Sequence, residues 1–412
     1  MTEERGEGRG WVRRGVGLAA VVLLLSGALG ISTAFGMLLL LPLYVRELGG
    51  DEADFGVILS SAAVPAVLCI GLLLRYPERL RSHAVVAIAI AVYAVGAVGA
   101  SVVDASWEPL VGVGVLLGTA WAVVYAASPM VISGMVTDAG RAAYFGYLTG
   151  TQQVGIGAGP VIARLLVETP LGFRGTFLAA GFVCLLAAAL TVAAGFLTPD
   201  ARAERVGANE AGVGLGEAIG KIARSEAAFS LVMVLLFACL FTSLIQFQTT
   251  FASSRELDYS VFYVAYTGAV IASRFGLTSL ASRFDGWLVI AASVSLMAGA
   301  VAAFLVIGSY ALLYGAVSAF VGLGYGLALP NVQALAVNVS DEAVRPRVLP
   351  LAGLLFQAAI LGFPLLAGWI IATSGYETLF AVLATFALTQ VGIAWWRFLA
   401  AKKAAKANNP RS

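Results

Sequence analysis

Charge is the first thing this chain lacks. Only 12% of its 412 residues are charged, and it holds one histidine and three cysteines. Soluble domains carry about 25% charged residues, so a polar shell around a single core is excluded. Cys69, Cys184 and Cys239 each sit alone in an apolar run. No two of them have metal-ligand spacing, which excludes a disulfide framework or a zinc site. His83 lies in a basic loop, and no nucleophile–base pair accompanies it, so no enzyme, cofactor or metal chemistry is expected. A formal net charge of +2 offers no broad basic face for nucleic acid.

What fills the chain instead is apolar sequence, 60% of it. Runs long enough to cross a hydrocarbon core of about 30 Å fall near 16–43, 55–74, 84–103, 109–135, 142–167 and 175–197. Six more fall near 229–253, 260–280, 286–307, 310–336, 348–372 and 379–399. Lipid offers the backbone no hydrogen bonds, so the reading is all-α: twelve transmembrane helices in two six-helix halves. The halves are 1–197 and 229–412, joined by a charged loop over 198–228. Arg13 and Arg14 before Leu18 resemble the start of a signal peptide, but the apolar run continues too far, so an uncleaved first span is expected.

Lys and Arg set the orientation. Twenty of the 25 fall on the side of the termini and the central loop, among them Arg75, Arg79, Arg141, Arg283, Arg345 and Arg397. The opposite loops hold only Arg46, Arg174 and Arg255. A multi-pass protein of the cell membrane with both termini in the cytoplasm follows as the expectation.

The halves also repeat one another. Asp54 and Asp258, Arg79 and Arg283, Gln153 and Gln357, and Pro160 and Pro364 are each 204 residues apart. Gly150 and Gly353 are 203 apart. Scarce residues held in one register mark a duplicated six-helix unit, the design of two-half transporters with a site near the bilayer midplane.

With these residues in view, the chain resembles the major facilitator superfamily over essentially its whole length. Gly155-x-x-x-Gly159-Pro160 resembles the fifth-helix motif of the superfamily's antiporters, chiefly drug and metabolite exporters. Leu41-Pro42-Leu43-Tyr44 and Gly322-Leu323-Gly324-Tyr325-Gly326 before Pro330 are further family-like stretches. Four departures accompany them. Ala163 and Arg164 stand where the fifth-helix motif continues with two further glycines. Arg75 and Arg283 lack the preceding Asp of the family's cytoplasmic loop motif, and Gly114 stands where proton-driven exporters often carry an Arg.

None of the 23 carboxylates falls at mid-membrane depth. A buried acid is the usual proton carrier and the usual counter-charge for a cation, so the substrate is expected to be neutral, zwitterionic or anionic. Gln153 and Gln357, each about ten residues into its helix, are expected to line a cavity, with Gln246 and Asn331 extending the polar set. Trp121 and Tyr125 in the fourth span, with Tyr263 and Tyr266 in the eighth, could supply aromatic walls. Arg274, about fourteen residues into the eighth span, reads either as anchor for an anionic substrate or as a side chain reaching the inner headgroups. Gly155, Gly159 and Pro160 are expected to form a close-packing face that lets the halves slide closely, a hinge or seal peculiar to the first half. Arg164, four residues before Glu168, points to an intrahelical ion pair or a gate contact.

The function expected is secondary transport by alternating access, with efflux of a small organic metabolite or drug-like compound in an antiporter mode. The alternatives are uptake of a small organic anion held by Arg274, or a non-transporting membrane sensor. A lipid bilayer and a small organic substrate are the expected partners, and the chain is expected to act as a monomer.

Overall fold

The computed structural model describes residues 12, 17–75, 82–198, 220–277, 283–341 and 344–408. Nearly all of them are helical. The first six helices are α1 (Leu18–Glu47), α2 (Glu52–Leu72), α3 (His83–Val102), α4 (Leu110–Met135), α5 (Asp138–Val167) and α6 (Gly172–Phe196). There follow α7 (Ala227–Gln246, continued as Gln248–Ser254), α8 (Tyr259–Leu277), α9 (Gly286–Val306) and α10 (Ala311–Asn338). The last element, Arg345–Asn408, is broken by Gly375 at φ 83° and ψ 172°, which divides it into α11 (345–374) and α12 (376–408). Only glycine takes that backbone conformation without strain.

Among the described residues, ten helices are long and apolar enough to cross a membrane, with α11 and α12 counted together. Separating those two and adding the 30-residue α5 gives the twelve segments expected from the sequence. Most of the central loop expected over 198–228 lies outside the described residues, as do Arg79 and the side chain of Arg75.

Local signals explain the ends. Asp51 and Asp54 form a capping box at the start of α2, each side chain accepting from the other's backbone N–H at 3.0 Å. The Asp258 carboxylate accepts from the Ser260 N–H at 2.9 Å, and that of Asp285 from the Leu288 N–H at 3.1 Å. Inside the spans, α1 tightens to a 3-10 turn over Leu38–Leu40, α7 breaks at Phe247, and α8 ends in a π turn over Ser273–Leu277.

The chain divides into two units, Met1–Asn209 and Glu210–Ser412. In the first, α1 packs on α5 and α6, α3 on α4 and α6, and α2 on α4. In the second, α8 and α9 pack on α10, and α7 packs on the last element and on α10. Hydrogen bonds resolve those last contacts. The Thr242 hydroxyl donates to the Ile360 carbonyl across α7 and α11, and the Gln390 amide donates to the Met233 carbonyl across α7 and α12. The two units therefore use one pairing scheme. Their outward faces carry large apolar side chains, such as Phe182 and Leu388, as a surface solvated by lipid tails requires.

Candidate functional site

Helix α5 meets α1 backbone to backbone. An ideal Cβ at Gly159 would lie 2.4 Å from the Gly36 Cα and 2.5 Å from the Thr33 carbonyl oxygen. One at Gly155 would lie 2.7 Å from the Ser32 Cβ. From the other side, a Cβ at Gly36 would lie 2.7 Å from the Ile156 carbonyl oxygen and 3.0 Å from the Pro160 Cδ. Small residues at four-residue spacing permit this approach, and Pro160 has no N–H to strand at the contact. Gly155, Gly159 and Pro160 are filled by α1 of their own half, where they form a seal. About two and a half helical turns before Gly155, Gly146 would place a Cβ in open space.

The second half builds the equivalent contact differently. Gly353 and Gly362 on α11 have nothing within 4 Å of an ideal Cβ. Contact with α7 runs instead through the Thr242–Ile360 hydrogen bond of 3.1 Å and the Phe241 and Phe356 rings, 6.2 Å apart.

Beside these contacts sit the two repeat-related glutamines. Gln153 is 6% exposed and Gln357 8%. The Gln153 Nε2 and both amide atoms of Gln357 are buried without a hydrogen-bond partner. One turn beyond each, Ile156 and Ile360 supply the carbonyls that face Gly36 on α1 and Thr242 on α7. The hydroxyls of Ser32 on α1 and Ser243 on α7 are also buried and unpartnered. An uncompensated buried polar group costs about 1–3 kcal/mol, and native interiors leave few of them.

The remaining polar and aromatic candidates divide. Gln246 is buried at the last residue before the α7 break. Its neighbour Gln248 is engaged, donating from Nε2 to the Tyr314 hydroxyl at 3.0 Å. Asn331 donates to the Leu327 carbonyl of its own helix at 2.6 Å. Trp121 is buried and stacks on Phe35 of α1 with centroids 4.1 Å apart, while Tyr125 is 41% exposed. Trp121 therefore packs on α1 of the first half.

Of the aromatic candidates on α8, Tyr266 stands out, and one group, around Arg397, was not anticipated. The Tyr266 hydroxyl on α8 is buried and unpartnered, and its ring lies 6.1 Å from that of Tyr325 on α10. Arg397 on α12 pairs with Glu226 before α7 and sits 5.6 Å from the ring centroids of Phe229, Trp287 and Trp396. The Arg397 hydrogen bond holds the Glu226 carboxyl below its ordinary range. The sequence signal for such a cage is an Arg beside paired tryptophans, but the partners are remote in the chain.

Among the charged candidates, Arg164 donates from Nε to the Glu168 carboxylate at 3.2 Å, the intrahelical pair expected from the spacing. Arg274 falls in the π turn that closes α8, in its last described turn and not within a regular helix. The three arginines of the loops opposite the termini each pair with an acid. Arg46 meets Glu52, Arg255 meets Glu377, and Arg174 meets Asp104 at 2.7 Å. Among the described residues, no group of three His, Cys, Asp or Glu could hold a metal.

Comparison with known proteins adds the family. No curated protein matches this sequence. Among solved structures, the nucleoside transporter NupG superposes with a TM-score of 0.68 at 18% identity, over 92% of this chain and 98% of that one. A bacterial homologue of the human lysosomal transporter Spinster gives 0.65 at 14%, over 93% and 95%. The human organic anion transporter MFSD10 gives 0.64 at 14%, over 91% and 99%. At such identities the likeness shows the fold alone. The family model described as Major Facilitator Superfamily matches residues 20–361. The chain belongs to that superfamily and is a multi-pass membrane transporter, not an enzyme.

Proposed function

We propose that this transporter exports a small uncharged or zwitterionic organic compound by alternating access, with Gln153 and Gln357 among the residues that meet it. The observation that carries the reading is the pair itself. Two amides 204 residues apart occupy equivalent helices, both more than nine-tenths buried, with hydrogen-bonding atoms left unpartnered. A transport substrate, or the water that replaces it, supplies what each amide lacks. Export rests on the resemblance of Gly155–Pro160 to the antiporter motif. The skewed Lys and Arg distribution supports a cell-membrane setting with both termini cytoplasmic. We take the monomer as the working unit.

A second reading, uptake of a small organic anion held by Arg274, is favoured by one observation. Arg274 sits in a π turn, a distortion concentrated at functional sites. Counterflow in proteoliposomes loaded with neutral, zwitterionic and anionic pools separates the two. The first reading expects exchange of neutral or zwitterionic solutes that falls about tenfold in Gln153→Leu and Gln357→Leu, the size of one to two lost hydrogen bonds. Exchange confined to anions and abolished by Arg274→Ala supports the second. No exchange of any pool by folded protein refutes both substrate readings.

A further inference from the structure

The C-terminal half contains a ladder of aromatic rings drawn from four helices. Tyr266 on α8, Tyr325 on α10, Phe241 on α7 and Phe356 on α11 follow one another at centroid separations of 6.1, 5.3 and 6.2 Å. The middle pair is stacked, with 20° between the ring planes. Such ladders are common in cores. This one differs in what borders it.

The Tyr266 hydroxyl at one end has no hydrogen-bond partner, and neither amide atom of Gln357, the residue that follows Phe356 on α11, has one. The two residues are 2% and 8% exposed. Gln357 lies one turn before Ile360, whose carbonyl receives the Thr242 hydroxyl, and the neighbouring Ser243 hydroxyl is likewise unpartnered. The same level of the half therefore combines flat apolar faces with unspent donors and acceptors. Packing alone accounts for the rings but not for the polar atoms, whose desolvation goes uncompensated.

The chemistry of the missing partner can be read from these groups. A primary amide presents an acceptor and a donor side by side in one plane. Its complement is an edge with N–H beside C=O, as in a lactam, an imide or a carboxamide. Stacked rings favour a flat, polarisable body over a puckered one. Within their described bounds α7, α8, α10 and α11 contain no Asp or Glu, so there is no counter-charge for a cation. We infer that the C-terminal half carries a subsite for a planar, non-cationic heterocycle with an amide-type edge, Gln357 reading the edge and the Phe241–Tyr325 stack holding the ring. This inference rests on the transport reading above and narrows its substrate class.

The test is counterflow by the full-length protein in proteoliposomes, with radiolabelled nicotinamide and uracil as ring-amide probes and mannitol and lactate as polyol and anion probes. The expected result is exchange of a ring amide that falls at least tenfold in Gln357→Leu and in Tyr325→Leu, while Tyr325→Phe keeps most of it. Each variant is also melted, and only those with a cooperative transition are compared. Exchange of mannitol or lactate without either ring amide overturns the subsite and leaves transport standing. Ring-amide exchange unchanged in Gln357→Leu also overturns it. No exchange of any probe by folded wild type overturns the transport reading itself.

Discussion

Gly159→Ala is the sharpest perturbation of the first half. The new methyl carbon would begin 2.4 Å from the Gly36 Cα and 2.5 Å from both the Gly36 carbonyl carbon and the Thr33 carbonyl oxygen. Carbon atoms rest at about 3.5–4.0 Å, so α1 and α5 must part by about 1 Å. Every obstructing atom is backbone, so no side-chain rotation relieves the clash. Overpacking of this kind costs about 1–3 kcal/mol. For a unit of roughly 200 residues, that is a fall in Tm of about 2–10 °C. The assay is a thermal melt of detergent-solubilised protein, with Gly146→Ala as control, since a Cβ there meets nothing within 4 Å. Gly36→Ala attacks the same contact from α1 and should match Gly159→Ala, while the double variant should cost less than the sum because one separation serves both. If Gly159→Ala melts with wild type, the sealed α1–α5 contact does not hold the two helices as described.

Three further outcomes follow from the described contacts. Gln357→Leu should lower transport about tenfold while moving the Tm by no more than a few degrees, because the partner the amide loses is substrate or water and not protein; a large fall in Tm would show that the amide is held by the protein. The Glu226–Arg397 pair should make the second half acid-labile. The Glu226 carboxyl is held low, so the pair's contribution is complete above the ordinary glutamate range and lost as pH falls through the lowered value. Melts between pH 7 and pH 3 should therefore show a drop in wild type that Glu226→Gln lacks. Arg164→Gln should shift the melt by at most about 0.5 kcal/mol, since the pair it breaks is exposed, and a larger loss would mark Arg164 as part of a gate.

The spans and the duplication were legible because each leaves a local mark. Apolar runs of membrane length admit only helices, and the Arg164–Glu168 pair is set by one turn of helix. What was not legible depends on partners remote in the chain. Arg255 meets Glu377, 122 residues on. A second repeat, Arg46-Glu47-Leu48 against Arg255-Glu256-Leu257, lies at an offset of 209 and not 204, because five extra residues stand between Leu48 and Asp54. That slip hid it. The breaks at Leu38–Leu40 and Phe247 carry no glycine or proline of their own, so composition does not announce them. The glycines of α5 announced a close contact, but only the fold names α1 as its partner.

The repeat also conceals a division of labour. Both halves place a glutamine beside the contact between their first and fifth helices. In the first half that contact is glycine on glycine, Gly159 against Gly36, with no side-chain volume between the backbones. In the second, Phe241, Thr242 and Phe356 occupy the space, while unspent hydroxyl and amide groups lie beside the contact in both halves. A backbone-to-backbone seal has little room to reshape around different ligands, whereas a wall of side chains can be altered one residue at a time. Substitutions that change which compound is carried should therefore concentrate on α7, α8, α10 and α11. Those on the α1–α5 face should lower stability and flux for every compound alike. A specificity change arising at Gly36, Gly155 or Gly159, with stability unaltered, would reverse that assignment.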